Sequence, residues 1–383
     1  MSGAYFDNNA TTPLDPRVAE AMVPWLGPRF GNPSSIHRWG QAAREAIEAA
    51  RCQVAELVGA DALEIVFTAS GTEANNLVLE TIGSGARGRV VISGLEHPSV
   101  RVAAELLAVR GFEVHSVSPG ADGIVPVEAM VAALGPDTRL VALMLANNEL
   151  GTLQPVAEVA AACREAGIPV LCDAVQAAGK TAVEVAALGV DYLTLGAHKF
   201  HGPLGAAALW VRKGAPLSPL LVGGSQERRR RASTENVPAL VGFGLACELA
   251  GRELPERERR LGALRERFEA GLGALADVVI HCRTSPRLPH TSHVAFLGLE
   301  AESLLIRLDL AGFAVSTGSA CSSGVVEPSR TLTQMGIGRH EALASLRISF
   351  GLFNTEAEVD ALLPVLAREV ATLRQLAPVG AHA

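Results

Sequence analysis

The sequence predicts an α/β fold, with a large domain on a mostly parallel sheet flanked by helices and a smaller α+β domain after it. Three observations carry this. Apolar runs of β type alternate with helix-period segments over the first two-thirds of the chain, as βαβ units require. Several runs are continuously apolar rather than alternating, as expected of strands covered on both faces. The texture then changes after about residue 235, where a long stretch rich in Arg and Glu gives way to shorter strands.

Taken in order, the strands are expected at 64–68, 89–93, 113–117, 140–145, 168–172, 190–195 and 206–211. Amphipathic segments at 41–57 and 156–166, and a helix starting near Glu73, fit between them. Residues 241–275 read as a long helix that Pro255 should kink or break. Strands at 278–281, 293–297 and 346–350 and a helix at 356–373 complete the smaller domain, with a frayed tail at 377–383.

Composition narrows the function. Apolar residues make up 49% of the 383 and charged residues 19%, an ordinary globular balance. A net charge of -7 gives no support to direct nucleic-acid or membrane binding. No apolar run approaches the roughly 20 residues that span a bilayer. The start lacks the basic and apolar regions of a signal peptide, so a cytoplasmic address is expected. Six cysteines lack any CxxC or Cys/His metal spacing, and most are expected to be reduced core fillers. Only three lysines occur, Lys180, Lys199 and Lys213, so lysine chemistry has few places to live.

Ligands of open parallel sheets bind beyond the carboxyl ends of the strands, and polar clusters fall there. Ser70, Gly71 and Thr72 stand at a helix start, where backbone N–H groups suit a phosphate; an ordinary helix cap is the alternative. Asp173 and Gln176 follow an apolar run. A carboxylate there can hold a cationic ring nitrogen of pyridoxal 5′-phosphate (PLP) or simply cap a helix. Lys199, hemmed by His198 and His201 at a strand end, has the surroundings that lower an amine pKa and favour imine formation. Lys213 reads as part of a turn, and Lys180 as a residue of a surface loop or helix.

Cys321 lies in a run of small residues, 316–324 (STGSACSSG), expected to be an exposed, mobile loop. Arg347, inside a strand pattern, suggests carboxylate binding or a structural ion pair. His97 follows a strand and is placed to face a cofactor ring, although a lone His is commonly structural. The run 228–231, four arginines, is expected to be a solvated loop.

Together these residues resemble the cysteine desulfurases of the NifS/IscS type, in the class V branch of fold-type I PLP enzymes. Further matching blocks are 5–13 (YFDNNATTP), 31–37 (GNPSSIH), 147–151 (NNELG) and 231–236 (RASTEN). The match runs from residue 5 to Arg347. The resemblance implies that Lys199 bonds the cofactor covalently, that Asp173 pairs with its ring nitrogen, and that His97 stacks on the ring. It places Gln176 and Asn148 at the phenolic oxygen and Gly71, Thr72 and His198 at the phosphate. Thr234 would reach in from the second subunit of a homodimer. Arg347, aided by Asn32 and its neighbours, would bind the substrate carboxylate. The implied large domain is 16–255, and residues 1–15 join 256–383 in the small one.

The implied reaction converts L-cysteine to L-alanine and leaves the sulfur on Cys321 as a persulfide. A sulfur-acceptor protein, such as an iron–sulfur scaffold or a tRNA thiolation enzyme, would take it. Three departures stand out. Gly196 replaces a usual serine, Ser225 replaces a common glycine, and Ala383 ends the chain short of relatives whose tail docks a scaffold. A selenocysteine lyase, another PLP transferase, or a non-catalytic scaffold in a sulfur-transfer assembly would suit the same frame.

Overall fold

The apolar runs become strands where the sequence places them. A computed structural model describes residues 3–317 and 327–376. Cys321 and the tail from 377 lie outside the described residues. The strands are β1 (Ala4–Tyr5), β2 (Ile65–Thr68), β3 (Arg89–Ser93), β4 (Glu113–Val117), β5 (Thr138–Ala142), β6 (Val170–Asp173), β7 (Tyr192–Gly196), β8 (Ala207–Val211), β9 (Val278–Ile280), β10 (Thr291–Phe296), β11 (Phe313–Ala314) and β12 (Ser345–Ser349).

Seven of them form one sheet in the order β2-β8-β7-β6-β5-β3-β4. Only β8 runs antiparallel to its neighbours, so the sheet is mostly parallel, as expected. Every residue of β2, β6, β7 and β8 is buried, because helices cover both faces. That is why these runs are continuously apolar. Edge strand β4 contains no fully buried residue and correspondingly carries Glu113, His115 and Ser116.

A second core gathers Leu261, Leu264 and Phe268 with Phe296, Leu346, Phe350 and Val370, and includes Ala4 and Phe6 from the chain start. Phe6 sits edge-on to Phe350, ring centroids 5.6 Å apart. Strand β1 pairs in parallel with β11, while β9, β10 and β12 form a separate antiparallel sheet. The helix Val237–Gly271 connects the two cores. Its expected break at Pro255 is absent: the helix runs through the proline. Packed faces on either side outweigh the ~3 kcal/mol that an interior proline costs. No helix among the described residues is long and apolar enough to cross a membrane.

The arginine run meets expectation only in part: Arg228 and Arg229 are exposed, but Arg230 and Arg231 are half-buried. Arg231 is half-buried and its Nε lies 2.7 Å from Glu73, while Arg230 donates to the Leu63 carbonyl at 2.9 Å. Beside them Glu227 is buried and receives both Arg51 Nη1 (2.7 Å) and Nη2 (2.8 Å). Residues 227–229 all have positive φ. A network that needs these charges in one place holds the loop against the sheet. Of the described cysteines, Cys163, Cys172 and Cys247 are buried as expected, whereas Cys52 is exposed and Cys282 is half-buried.

Candidate active site

The carboxyl ends of β2, β3, β5, β6 and β7 open on one cavity of about 520 Å³. Each strand exit delivers a side chain that the sequence singled out. After β2, the chain turns into the helix Gly71–Gly83, with Ser70 as its cap: the hydroxyl accepts from Glu73 N at 3.1 Å. A Cβ at Gly71 would lie 2.8 Å from Val175 Cγ2, so a side chain there would have to displace the wall. Gly71 and Thr72 therefore bring a helix N-terminus to the cavity, a geometry suited to an anion.

After β3, His97 caps the helix Pro98–Val109, its Nδ1 2.8 Å from Ser99 Oγ, and its ring lines the cavity. Burial holds its pKa below the usual imidazole value, against the opposing charge of Asp173. After β5, Asn148 lines the cavity and its carbonyl receives Arg347 Nη1 at 2.8 Å.

Asp173 is the last residue of β6, buried, with both oxygens in use. Oδ1 accepts from Val175 N at 3.0 Å and Oδ2 from Asn75 Nδ2 at 2.7 Å. Neither partner carries charge, and Asp173 makes no ion pair among the described residues. A buried carboxylate facing a cavity without a cation of its own favours a cationic group in that cavity. Asp173 thus holds a local turn through Val175 N, and its buried carboxylate also faces the cavity.

Lys199 follows β7. Its Nζ donates to the carbonyls of Asn9 and Ala10, each at 2.7 Å. Burial, and then the charge of Arg347, push its pKa down to about 8. The flanking histidines add no charge: burial pushes His198 and His201 each down to about 4. The surroundings of Lys199 are less apolar than expected, since two backbone carbonyls from the chain start receive it.

Arg347 reaches the cavity from β12. It is buried, and its Nη2 lies 2.7 Å from Asp7 Oδ1. The ion-pair alternative thus holds, and Arg347 lines the cavity as well. Its Nε is buried without a hydrogen-bond partner among the described residues. Asn32 is exposed, accepts from Ser34 N at 2.9 Å, and does not line the cavity. Thr234 is exposed and outside the lining as well.

Lys180 overturns its sequence reading. It is 5% exposed, and its Nζ donates to Gln176 Oε1 at 3.0 Å. Burial, with the charges of Lys199 and Arg347, pushes its pKa well below the usual lysine value. The turn after Gln176 runs inward beneath the cavity, a course that only the packed structure sets.

Three further residues escaped the sequence reading. Asn75, fully buried, ties Asp173 to Thr194 Oγ1 (2.8 Å) and Ser99 Oγ (2.9 Å). A polar residue within the apolar face of the helix Gly71–Gly83 was its only signal. Asn9 joins the chain start to the site: Nδ2 donates to Asn148 O at 3.1 Å, and His290 Nε2 lies 2.6 Å from Oδ1. Glu96 accepts from Ser93 Oγ and Met144 N, each at 2.7 Å, and burial pushes its pKa up to about 8.

The donor set matches PLP group by group. A helix N-terminus would suit the phosphate, a carboxylate without an ion-pair partner the pyridine nitrogen, an imidazole the ring face, and an amine of lowered pKa the aldehyde. Comparison with known proteins identifies the family. The aminotransferase class-V model matches residues 4–362. A cysteine desulfurase of Cereibacter sphaeroides is 44% identical, covering 100% of this chain and 99% of its own length. A cysteine desulfurase of Gluconacetobacter diazotrophicus is 43% identical over 99% of this chain and 96% of its own. A solved NifS-like protein superposes with a TM-score of 0.91 at 36% identity, over 97% of this chain and 100% of that one. With matches of this extent, the chain belongs to the class-V aminotransferase family.

Proposed function

We propose that this protein is a PLP-dependent cysteine desulfurase, converting L-cysteine to L-alanine and passing the sulfur to Cys321 as a persulfide. The observation that carries the reading is the pairing of Lys199, an amine with a pKa near 8, with the cation-deficient carboxylate of Asp173 across one cavity. The names of near-full-length relatives, cysteine desulfurases at 43% and 44% identity, point to the same activity.

When bound, the cofactor supplies an electron sink for the bond changes at the substrate. Lys199 would bond its aldehyde and Asp173 its ring nitrogen. His97 would lie against the ring, with Gln176 and Asn148 near the phenolic oxygen and Gly71, Thr72 and His198 at the phosphate. Gly196 offers no hydroxyl for that phosphate. The chain's own residues then divide the work. Arg347 holds the substrate carboxylate, exchanging or sharing the contact that Asp7 now makes. Asn32 and Thr234 are assigned by resemblance to the substrate side and to a partner copy's site respectively. Lys199 Nζ, largely free of charge above its lowered pKa, is the base for the substrate Cα proton.

The Cys321 thiolate attacks the substrate sulfur. An S–S bond forms, the C–S bond breaks, and its electron pair and a proton complete alanine. Ser316, whose backbone pairs with that of Arg347, lines the cavity five residues before Cys321. In the same reading the protein works as a cytoplasmic homodimer and hands its sulfur to an acceptor protein.

The test is turnover of L-cysteine by the protein loaded with PLP. Wild type should make alanine and carry a persulfide at Cys321, mapped by mass spectrometry. Cys321→Ser should bind cofactor and change spectrum with cysteine, yet make less than a hundredth of the alanine, because its hydroxyl is a poor nucleophile toward sulfur. Alanine from Cys321→Ser at the wild-type rate would overturn the persulfide route. Turnover of selenocysteine alone would point to a lyase.

A further inference from the structure

Behind the cavity, Lys180 has no place in the chemistry so far. Its charge is costly: it is buried and makes no ion pair among the described residues. The charged or basic groups near it are Lys199 and Arg347 toward the cavity, with His201, Arg257 and His290 around the small void on its other side. No carboxylate lines that void. Burying an amine among bases works against stability, so its one side-chain hydrogen bond is the feature to explain.

That bond goes to Gln176 Oε1, 3.0 Å away. The other end of the same amide, Nε2, donates to the carbonyl of Asn9 at 2.9 Å, the carbonyl that also receives Lys199 Nζ. Lysine offers donors, and the Asn9 carbonyl accepts only. Turning the amide over would set C=O against the Asn9 carbonyl and lose that bond, and a protonated Lys180 would lose its acceptor as well. The amide therefore has one orientation. It keeps its N–H end on the cavity side, and the second hydrogen of Nε2 remains for a ligand.

We propose that Lys180 is a positioning residue: by holding Gln176 Oε1, it makes Gln176 present a hydrogen-bond donor to the phenolic oxygen of bound PLP. The inference rests on the functional reading above and deepens it. A donor at that oxygen favours negative charge there and so lowers the pH at which the cofactor–lysine chromophore loses its proton. Without Lys180 the amide is held at one end only, and the donor is shared with the opposite orientation.

The experiment is a pH titration of the visible absorbance of the resting, PLP-loaded protein, together with the rate of PLP loss on dialysis. Lys180→Met should raise the titration midpoint by about one pH unit, a tenfold change in the protonation equilibrium, and hasten PLP loss several-fold. Lys180→Gln, which restores a donor without the charge, should return most of the shift. In a Gln176→Met background, Lys180→Met should add no further shift, because the partner through which it acts is gone.

An unchanged midpoint in Lys180→Met overturns the inference. So does a Lys180→Gln midpoint equal to that of Lys180→Met, which would assign the effect to charge, or a full additional shift in the Gln176→Met background. If Lys180→Met does not fold, Lys180→Gln and the Gln176→Met pair decide the matter. A wild-type chain that takes up no PLP would overturn the functional reading itself, an outcome distinct from a wild type that titrates normally beside an unshifted variant.

Discussion

The two walls of the cavity are built in different ways. The large-sheet wall is a row of strand exits. Gly71, His97, Asp173 and Lys199 stand there because the exits of these strands all lie on the same side; His97 is held within its own loop, Asp173 by Val175 N and the distant Asn75, and Lys199 by the chain start at Asn9. The wall beside the second core offers Arg347 and, next to it, Asp7 from the chain start, joined in an ion pair. One wall leaves a carboxylate without a cation; the other supplies a cation already matched to a carboxylate. The first arrangement suits a resident cofactor. The second suits a substrate carboxylate that must come and go, since Arg347 has a balanced partner to return to.

If the division is real, removing a group from each wall should damage different quantities. The largest effect is expected for Lys199→Ala, which should abolish the PLP adduct fixed by borohydride and cut alanine formation at least about a thousandfold. The protein should still fold, because Lys199 makes no ion pair among the described residues. A borohydride-fixed adduct in the variant, located on Lys180 or Lys213, would reassign the amine.

On the opposite wall, Arg347→Lys retains a charge but not the planar fork that serves Asn148 O and Asp7 together. The KM for cysteine should rise about 10- to 100-fold, with PLP uptake changed little. Steady-state kinetics beside cofactor titration would show it. Equal damage to cofactor binding would erase the distinction between the walls.

Glu96 tests the burden within the large-sheet wall. Its pKa is raised from 4.5 to about 8, chiefly by burial and then by Asp173. The folded state therefore holds a proton that the unfolded chain releases. This contribution to stability is complete below about pH 4.5 and is lost as pH rises through about 8. Glu96→Gln should flatten the decline and raise stability at pH 8 by on the order of 3 kcal/mol. Thermal melts of the ligand-free protein across that range would measure it. A decline as steep as in wild type would mean that Glu96 is ionised throughout.

Gly196→Ser should have the smallest effect. A new hydroxyl is worth about 1 kcal/mol, or roughly fivefold in cofactor retention. However, its Cβ would stand 3.2 Å from Val175 Cγ1, so the wall must yield slightly. Dialysis should show PLP loss slowed by less than about fivefold, and faster loss would show that the position requires glycine.

Much of the large-sheet wall was legible in the sequence because it depends on local rules. Continuous apolar runs identify buried strands, and polar residues just beyond them mark the ligand side. His97, Asp173 and Lys199 were found in this way, as was Gly71, whose small size the wall at Val175 requires. The scarcity of lysines was a second, purely compositional clue. The Arg347 wall was less legible, since an arginine in a strand has the same local pattern whether it meets a substrate or an aspartate 340 residues away.

The sequence by itself determined the strand-and-helix order, the side of the sheet on which the cavity opens and the place of Lys199, one of only three lysines, at a strand end. Those features follow from periodicity, from the one-sidedness of parallel strand ends and from the rarity of a residue type. Only the tertiary structure decided that Lys180 lies buried beneath Gln176, that Asp7 meets Arg347, that Asn9 joins both walls, and that Arg231 turns inward to Glu73. Each of these is a long-range pairing of polar groups removed from water. Its energy depends on which distant segment excludes the solvent, a quantity that no local pattern of residues contains.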